Sequence, residues 1–173
     1  NIYKSIMGGA EYMKSIKKYE TIINEALRSA LEYDTPEGQI NEFISFFGKH
    51  IGSDRIYIFE DDEEHHVTNN TYEWCAEGIT PQIEHLQGVN MEVIDWWYDT
   101  FDEGKSVIIS DVEELKGVHQ VSYNMLKYQN VRKVVVSPLR HKGQIKGFFG
   151  VDNPPAVDYN ALTMFLDMIG TML

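Results

Sequence analysis

Cysteine is nearly absent from this sequence, since its 173 residues contain only Cys75. A single cysteine cannot close a disulfide within the chain, and a thiol in an apolar run is more often a small buried side chain than a nucleophile. Long apolar runs are also missing. No stretch approaches the length of a membrane span, and the N-terminus lacks the apolar block of a signal peptide. We therefore expect a cytoplasmic segment that makes no contact with a membrane.

Basic residues are scarce, with 15 Lys and Arg against 27 Asp and Glu, which leaves a formal charge of -12. The deficit is concentrated in residues 34–100, which carry 15 acidic and 2 basic residues, whereas residues 101–173 carry 8 of each. This balance argues against binding to nucleic acid. We interpret the acidic excess as a solvated face, and the lysines near the last two predicted strands as protection against edge pairing.

The apolar content, 43% of the residues, is enough for one hydrophobic core but not for two independent ones. No internal repeat, low-complexity tract or interdomain linker divides the chain. We expect a signalling and dimerisation helix in residues 1–33 and one folded domain in residues 34–173. The last helix is amphipathic and has no cap, so we also expect the natural protein to continue into a C-terminal output domain.

The first 33 residues predict one long helix, which Gly8 and Gly9 interrupt early and which ends by Asp34. Its apolar side chains recur at alternating spacings of four and three, a short heptad-like seam suited to pairing with a second copy of the chain. We therefore expect a homodimer formed through the terminal helices. The predicted seam consists of Ile16, Tyr19, Ile23, Ala26 and Ala30.

Three more helices and two short helical turns are predicted from apolar spacing and from the positions of proline and glycine. The helices span Pro36–His50, Met91–Phe101 and a segment that begins near Asp158, and the turns lie in residues 113–115 and 123–128. The last helix carries an apolar stripe of Leu162, Phe165, Ile169 and Met172.

Five strands are predicted from β-branched and aromatic runs bounded by turn residues. They span Arg55–Phe59, Val67–Ala76, Val107–Ile109, Lys133–Arg140 and Gln144–Asp152. Pairing the last two about a turn at Lys142 and Gly143 places Ser137 opposite Phe148, and Lys133 opposite Asp152 as a cross-strand ion pair. It also collects one apolar face, made of Val134, Val136, Phe149 and Val151. The order of elements predicts an α+β fold built on an antiparallel sheet.

An ordered set of motifs after the first helix resembles the GAF domain family. The set comprises the run Asp54–Phe59, the stretch Gly104–Val112, and the last two strands, from Val131 through Ser137-Pro138-Leu139 and from Gly143 through Val151. Within it, Tyr72–Gly78 and Gly150–Pro154 are similar to GAF domains that precede diguanylate cyclase (GGDEF) output domains in Gram-positive bacteria.

This resemblance implies a PAS-related sheet of about six antiparallel strands, with the terminal helices packed on one face. The central helix, short helices and loops would roof the other face, and a ligand pocket would lie under that roof. In such a fold Val134 and Val136 would face the terminal helices, whereas Ser137 and Phe148 would look into the pocket. A PAS domain is the rival fold, and the helix that leads directly into the first strand favours GAF.

The chemistries of GAF relatives each need residues that can be checked in this sequence. Cyclic-nucleotide domains carry an Asn-Lys-Xaa-Phe-Asp-Glu motif, which the nearest text, residues 124–128, does not reproduce. Bilin attachment uses a Cys followed by His, but Ala76 follows Cys75. The sulfoxide reductases of the family cycle through several cysteines. We therefore expect neither enzyme activity nor a bound cofactor.

The acidic hairpin is the nearest approach to a metal site. Adjacent histidines point to opposite faces of a strand, and no second Cys or His pair lies at finger-like spacing, so we predict a wet acidic hairpin and no metal. No Ser-His-Asp order, phosphate loop or pair of carboxylates on one helix face stands out, so we predict no catalytic residue. The metal candidates rejected on these grounds are Glu60, Asp61, His65, His66 and Cys75.

The remaining candidates are side chains that would border the roofed pocket. Some have a purely structural alternative: Trp97 and Phe101 as core anchors, and Asp111 as the cap of the next short helix. For an anionic ligand, Lys127 and Arg132 are the basic residues to test first. The predicted ligand-binding residues are Trp74, Trp97, Phe101, Asp111, Tyr123, Tyr128, Ser137 and Phe148.

Two functions follow as hypotheses. In the first, an unidentified small molecule binds under the roof, shifts the terminal helices and biases an output domain, for which the resemblance implies a diguanylate cyclase and cyclic di-GMP signalling. In the second, the pocket is filled by the chain's own side chains, and the domain is a structural dimerisation module. Closely packed tryptophan rings favour the second hypothesis, and rings that border a void favour the first.

Overall fold

The computed structural model describes residues 2–155 and 159–172. The elements, in chain order, are helices α1 (Ile2–Ala30) and α2 (Pro36–Ile51), strands β1 (Arg55–Asp62), β2 (Val67–Cys75) and β3 (Val89–Asn90), helix α3 (Asp95–Asp102), strand β4 (Val107–Ile109), helix α4 (Gln120–Tyr128), strands β5 (Val134–His141) and β6 (Gln144–Asp152), and helix α5 (Tyr159–Met172). Two 3₁₀ helices, Met91–Ile94 and Val112–Leu115, precede α3 and α4. The predicted helix start at Asp158 and the side chain of Met172 lie outside the described residues.

Helix α2 begins and ends where the sequence supplies capping residues. The Thr35 hydroxyl accepts a hydrogen bond from the Gly38 amide at 3.0 Å, and Pro36 occupies the first turn, where its missing N–H leaves no bond unmade. Gly52 ends the helix in a left-handed conformation, at φ 75°. These local signals explain why the predicted helix differs from the observed one by a single residue.

The six strands form one sheet in the order β3-β2-β1-β6-β5-β4. All neighbouring strands run antiparallel, which confirms the predicted α+β architecture. Strand β3 falls in a segment predicted as a loop, because two residues are too few to show an alternating pattern. Helices α1, α2 and α5 cover one face of the sheet, where they share a hydrophobic core with Ile56, Ile58, Phe149 and Val151.

The predicted register of β5 and β6 is correct at the turn and wrong beyond it. His141 lies opposite Gln144, as expected for a two-residue turn. A bulge then adds one residue to β6, so that Leu139 lies opposite Gly147 and every later pair is displaced by one position. The extra residue breaks the alternation of β6 at Lys146 and Gly147, neither of which carries an apolar side chain, so the sequence pattern does not reveal it.

The displaced register changes which face several side chains occupy, because a slip of one residue exchanges the two faces of a strand. Val134 and Val136 belong to the apolar layer under the roof and not, as predicted, to the helix side. Ser137 follows Val136 in β5 and therefore points to the opposite face, the helix side, where it lies opposite Phe149. Its hydroxyl there is 2.7 Å from that of Ser106. The prediction that Ser137 looks into the pocket is therefore wrong.

Helix α1 is longer than predicted. It begins at Ile2 and continues through Gly8 and Gly9, at which an added Cβ would meet no atom within 4 Å. The glycines lower helix propensity but do not clash, so the helix passes through them.

The apolar seam of α1 is buried inside the chain. Tyr19 meets Phe165 of α5 edge-on, with 6.0 Å between ring centroids, and Ile16 lies against the same core. Four of the five seam side chains are thus buried where α1 packs against α2 and α5, and only Ile16 is partly exposed. Heptad-like spacing describes any one-sided helix contact, which is why it did not distinguish packing within the chain from pairing with a second copy. The buried seam residues, with their exposed fractions, are Tyr19 (2%), Ile23 (3%), Ala26 (0%) and Ala30 (6%).

Candidate ligand site

The second face of the sheet carries its own apolar cluster under a roof of short elements. The roof consists of α3, α4 and the two 3₁₀ helices. The long loop between β2 and β3 adjoins this roof through Leu86. Because strand side chains alternate between faces, β1, β5 and β6 supply this layer as well as the helix side. The main buried members are Tyr57, Phe59, Val134, Val136 and Phe148 from the sheet, and Ile94, Trp97, Phe101 and Leu126 from the roof.

Phe148 stands at the centre of the aromatic contacts on this face. Its ring stacks on Phe59, with 4.6 Å between centroids, and meets Trp97 edge-on at 5.5 Å. Tyr57 also meets it edge-on, and its ring has room only because Gly150 has no Cβ, which would collide with it. Aromatic pairs in these geometries stabilise a core beyond the area they bury. The chain's own side chains therefore fill most of the roofed face.

A cavity remains at one end of this aromatic layer. About 30 Å³ of it is open to the centre of a water molecule. By that measure one water needs about 10–15 Å³, so the space holds about two or three waters. Its wall is partly apolar and partly polar, and includes Arg55, Thr68, Asn70, Glu73, Trp97 and Phe148.

A buried charged cluster of Arg55, Glu73 and Asp152 adjoins the cavity, and its members Arg55 and Glu73 lie on the wall. Arg55 Nη1 lies 2.6 Å from Asp152 Oδ2, and Arg55 Nε lies 3.8 Å from Glu73 Oε2. The three side chains are between 2% and 4% exposed. The sheet places them together. Arg55 on β1 lies opposite Asp152 on β6, and on its other side it lies opposite Cys75 on β2, two residues after Glu73. Charges buried this deeply are tolerated only when they are paired.

The same cluster fastens the loop between β2 and β3 over the cavity. The Glu73 carboxylate accepts hydrogen bonds from the amides of Gln82 and Ile83, at 3.0 and 3.2 Å. Arg55 Nη2 donates to the carbonyl oxygen of Thr80 at 2.9 Å. Since every one of these bonds joins a buried charge to loop backbone, the position of the loop depends on the charged cluster.

Three buried polar atoms have no hydrogen-bond partner among the residues that the structure describes: Arg55 Nε, Trp97 Nε1 and Asp152 Oδ1. Arg55 and Trp97 both line the cavity. Buried donors are nearly always satisfied, because leaving one unpaired costs about 1–3 kcal/mol. Because both of these residues line the same cavity, it is a candidate place for a small polar molecule.

Burial shifts the protonation of two groups beside the cavity. It raises the pKa of the Asp152 carboxyl to about 6, and the Arg55 guanidinium opposes that rise only in part. Burial also raises the pKa of Cys75 to about 11. Cys75 is therefore a neutral thiol at neutral pH, and the thiolate that nucleophilic chemistry needs is scarce.

The raised pKa of Asp152 predicts a component of stability that grows on acidification. In the unfolded chain an aspartate has a pKa of about 3.9. Between that value and about 6, the native chain binds more protons than the unfolded chain, so the free energy of unfolding increases as the pH falls through this range. Asp152→Asn should lack this component. We expect urea denaturation at pH 7.5 and 5.0 to show the wild type gaining stability over the variant at the lower pH.

The exposed Asp102→Asn is the matched control for this experiment. The difference in unfolding free energy between Asp102→Asn and the wild type should not grow between pH 7.5 and 5.0 as it does for Asp152→Asn. A wild-type advantage over Asp152→Asn that is the same at both pH values would contradict the raised pKa.

Two predicted ligand residues, Trp97 and Phe148, lie on the cavity wall. Phe101 is fully buried in the same layer but contacts Tyr98 instead of the cavity, with 5.4 Å between ring centroids. Tyr123 packs at the edge of the layer, and its hydroxyl donates to Glu113. The structure thus brings these four side chains to the roofed face, and only two of them to the site.

Four other predicted ligand residues are placed elsewhere. Trp74 lies on the helix side, opposite Ile56 and against α2, because its neighbour Glu73 takes the roofed face. Ser137 is also on the helix side, as described above. Asp111 is exposed, and its carboxylate accepts from the Glu113 amide at 3.0 Å, so it caps the 3₁₀ helix. Tyr128 is 85% exposed.

The basic residues suggested for an anionic ligand also lie outside the cavity. Lys127 forms an ion pair with Glu113 at 2.8 Å on the surface, and Arg132 is exposed. The predicted pair of Lys133 with Asp152 is wrong, since the register places Val134 opposite Asp152. Sequence reasoning missed the charged cluster of Arg55, Glu73 and Asp152. Its only signals were Arg55 and Asp152 at the ends of two largely apolar runs, because charged residues there are unusual unless they are paired; Glu73, in the polar strand β2, gave none.

In residues 2–155 and 159–172, the part of the chain that the structure describes, no three His, Cys, Asp or Glu side chains are grouped closely enough to hold a metal ion. In the acidic hairpin, His65 instead lies 2.7 Å from the carboxylate of Asp62. None of the described helices combines the length and apolar character that crossing a membrane would require.

No family model and no curated protein matches the sequence, but solved structures match the fold. A far-red absorbing protein with bound biliverdin IXa has a TM-score of 0.69 and 13% identity, over 87% of this chain and 94% of that one. The phycocyanobilin-bound GAF domain of a cyanobacterial phytochrome has a TM-score of 0.69 and 16% identity, over 89% and 92%. The free methionine-R-sulfoxide reductase of Neisseria meningitidis has a TM-score of 0.65 and 11% identity, over 91% and 86%. The chain therefore has the fold of a GAF domain.

Proposed function

We propose that this chain is a non-enzymatic sensory GAF domain that binds a small molecule under its roof and passes the change to its terminal helices. The observation that carries the proposal is the pair of unused donors, Arg55 Nε and Trp97 Nε1, on the wall of one buried cavity. Neighbours of the same fold that hold biliverdin and phycocyanobilin support a ligand at this kind of site.

The ligand that we propose is much smaller than a bilin. Cavities for drug-sized molecules have volumes of about 300–1,000 Å³, whereas this one has about 30 Å³ open to water centres. Cys75, the only thiol, is followed by Ala76 and is neutral at physiological pH. A larger ligand would require α4 and the loop between β2 and β3 to move outward.

Strand β6 supplies a short route from the cavity to the helices. Phe148 lines the cavity, and the adjacent Phe149 points to the other face, where its ring lies 6.4 Å from that of Phe47 in α2. Helix α5 lies so close to β5 that a Cβ on Gly170 would collide with the Pro138 carbonyl oxygen. A ligand that displaces Phe148 would therefore also disturb the contacts of the sheet with α2 and α5.

The output domain that we propose is a diguanylate cyclase, which would make cyclic di-GMP the downstream signal. The proposal rests on the similarity of Tyr72–Gly78 and Gly150–Pro154 to GAF domains that precede such cyclases. The full-length protein is then expected to convert GTP to cyclic di-GMP at a rate that changes with ligand. A full-length protein without that product would contradict this part of the proposal.

A thermal-shift screen across amino acids, nucleotides, organic acids and small amides tests the sensory proposal. A ligand at about 100 times its dissociation constant adds about 2.7 kcal/mol to the stability of the native state. For a chain of this size we expect that gain to raise the midpoint of unfolding by roughly 5–10 °C.

Two variants of α4 show whether the stabilising ligand occupies the cavity. Leu126→Phe adds bulk at a lining residue and should abolish the shift, whereas Val121→Phe on the exposed side of the same helix should preserve it. A screen in which nothing stabilises the wild type would count against the sensory proposal.

The second candidate function is a structural dimerisation module, and the filled aromatic layer around Phe148 favours it. Most of the seam predicted from the sequence is buried, so a dimer through the terminal helices would use other apolar residues of these helices. Exposed apolar side chains run along the first half of α1 and along α5, where the Tyr12 hydroxyl reaches the Met164 sulfur. We define this terminal-helix strip as Ile2, Ile6, Met13, Met164 and Met168.

Light scattering on two double variants tests a dimer through the terminal-helix strip. Ile6→Glu with Met13→Glu places charges in the strip and is expected to convert a dimer to a monomer of 20.0 kDa. Val118→Glu with Val121→Glu changes two equally exposed apolar residues beside and on α4, and should leave the dimer intact. A dimer that survives the first pair of changes would exclude the strip as its interface.

A further inference from the structure

On the residues that line the cavity, the buried polar atoms without a partner are both donors. Arg55 Nε and Trp97 Nε1 have no partner in the part of the chain that the structure describes, and Asp152, whose Oδ1 is the one unused acceptor, does not line the cavity. Both oxygens of Glu73 already accept backbone amides, and the Thr68 hydroxyl donates to the Glu60 carbonyl oxygen at 3.3 Å. A molecule held here must therefore offer acceptor atoms to two donors.

The charges around the cavity disfavour an anion. Near pH 7.5, Arg55 contributes one positive charge, whereas Glu73 and Asp152 contribute two negative charges, so the buried cluster is negative by one charge. Every other residue on the cavity wall is uncharged. A bound carboxylate would lose its hydration, and Arg55 is already committed to Asp152 at 2.6 Å and could not compensate it. The negative cluster would repel it as well.

A cation is disfavoured for a different reason. Ammonium and amidinium groups carry donors and no acceptor, so they would leave Arg55 Nε and Trp97 Nε1 unpaired and would set N–H groups against N–H groups. The guanidinium of Arg55 would also face a like charge. The cavity thus lacks an unused carboxylate oxygen on its wall with which a cation could pair.

The cavity also restricts size and shape. Its free space corresponds to about two or three waters, and Trp97 and Phe148 form a flat aromatic side. We infer, granting the ligand site proposed above, that this cavity selects a compact uncharged molecule with hydrogen-bond acceptors, such as a primary amide, and rejects carboxylates and amidinium cations of the same shape.

Three probes of equal size separate these possibilities: formamide, formate and formamidinium, which are neutral, anionic and cationic. The ¹⁵N-labelled chain reports on each donor directly, because the Nε–H of Arg55 and the Nε1–H of Trp97 give their own NMR signals. Titration with formamide at pH 7.5 is expected to move both signals along one saturable curve. Formate and formamidinium at the same concentrations are expected to leave both in place.

The chain contains internal controls and a matched variant. Trp96 Nε1 already donates to the Ser122 hydroxyl at 3.1 Å, and Trp74 lies on the helix side, so their signals should not respond. Trp97→Phe keeps an aromatic ring of similar shape but lacks the donor. It should weaken the formamide affinity, read at Arg55 Nε–H, about three- to tenfold, as the loss of one neutral hydrogen bond predicts.

Two results would overturn this assignment. One is a response of the two donor signals to formate or formamidinium as large as the response to formamide, which would refute the selection by charge. The other is no response of either signal to formamide, which would refute the cavity as an amide site. In both cases a metabolite that stabilises the wild type but not Leu126→Phe in the thermal screen would still support the sensory proposal.

Discussion

Replacing Arg55 with methionine is expected to lower the free energy of unfolding by about 3–5 kcal/mol. Methionine fills a similar volume, so the loss is electrostatic and not a matter of cavity formation. Without the guanidinium, the buried carboxylates of Asp152 and Glu73 repel each other and have no counter-charge. The loop between β2 and β3 also loses the hydrogen bond from Arg55 to Thr80. Urea denaturation at pH 7.5 measures the change.

Two further variants identify the cause of the loss. Arg132→Met removes an exposed arginine near the same end of the sheet and should change the stability by no more than about 0.5 kcal/mol. Arg55→Met combined with Asp152→Asn removes one of the two unpaired charges and should recover part of the lost stability. If Arg55→Met were as mild as Arg132→Met, the charged cluster would not hold the loop in place.

Gly147→Ala is expected to cost about 3 kcal/mol, because it strains β6 where the sheet is most crowded. Gly147 follows the extra residue of the bulge, Lys146, and has φ at 154°; a Cβ there would collide with the carbonyl oxygen of Phe59 on β1. The obstacle is backbone of a central strand, so neither strand can relax without breaking the pairing between β1 and β6. Thermal or urea unfolding of the purified variant gives the change in stability.

Gly143→Ala in the same hairpin is the matched control. Gly143 also has a positive φ, of 77°, but an added Cβ would meet nothing within 4 Å. Its cost should be limited to the backbone conformation, about 1–2 kcal/mol. Equal losses for the two variants would mean that the collision with Phe59 is relieved easily, and that the bulge does not depend on glycine.

Local signals in the sequence were sufficient for most helices and strands. The cap at Thr35, the proline after it and the glycine at position 52 defined α2, since the capping groups lie within a few residues of one another. The turn at Lys142 and Gly143 was equally local, and both residues have the positive φ that a two-residue hairpin turn requires. The GAF-like order of elements could also be predicted from the sequence, because it depends only on which segments are helices and which are strands.

The candidate site was only partly predictable. Trp97 and Phe148 were identified because large aromatic side chains on these segments must be buried somewhere. Trp74 and Ser137 were assigned to the wrong face, since the face of a strand residue depends on registers and neighbours that lie far away in the sequence. The charged cluster of Arg55, Glu73 and Asp152 was missed, because its members come from three different strands and form ion pairs only in the folded chain.

The heptad-like seam of α1 was likewise only partly predictable from the sequence. The spacing of Tyr19, Ile23 and Ala26 correctly predicted a helix with one apolar face, but not the surface that would cover it. The face is covered by α2 and α5, because burying it within the chain requires no second molecule.

The sequence by itself thus determined which segments, apart from β3, are helical or extended, and with them the antiparallel α+β class, since these depend on spacing, caps and turn residues. The tertiary structure alone decided which helix face stays exposed, which side chains lie under the roof, and that a charged cluster with unused donors borders a cavity. There are two physical reasons. One bulge beside Gly147 exchanges the faces of most of β5 relative to β6. Buried charges, in turn, are stable only where distant strands bring their partners within hydrogen-bonding distance.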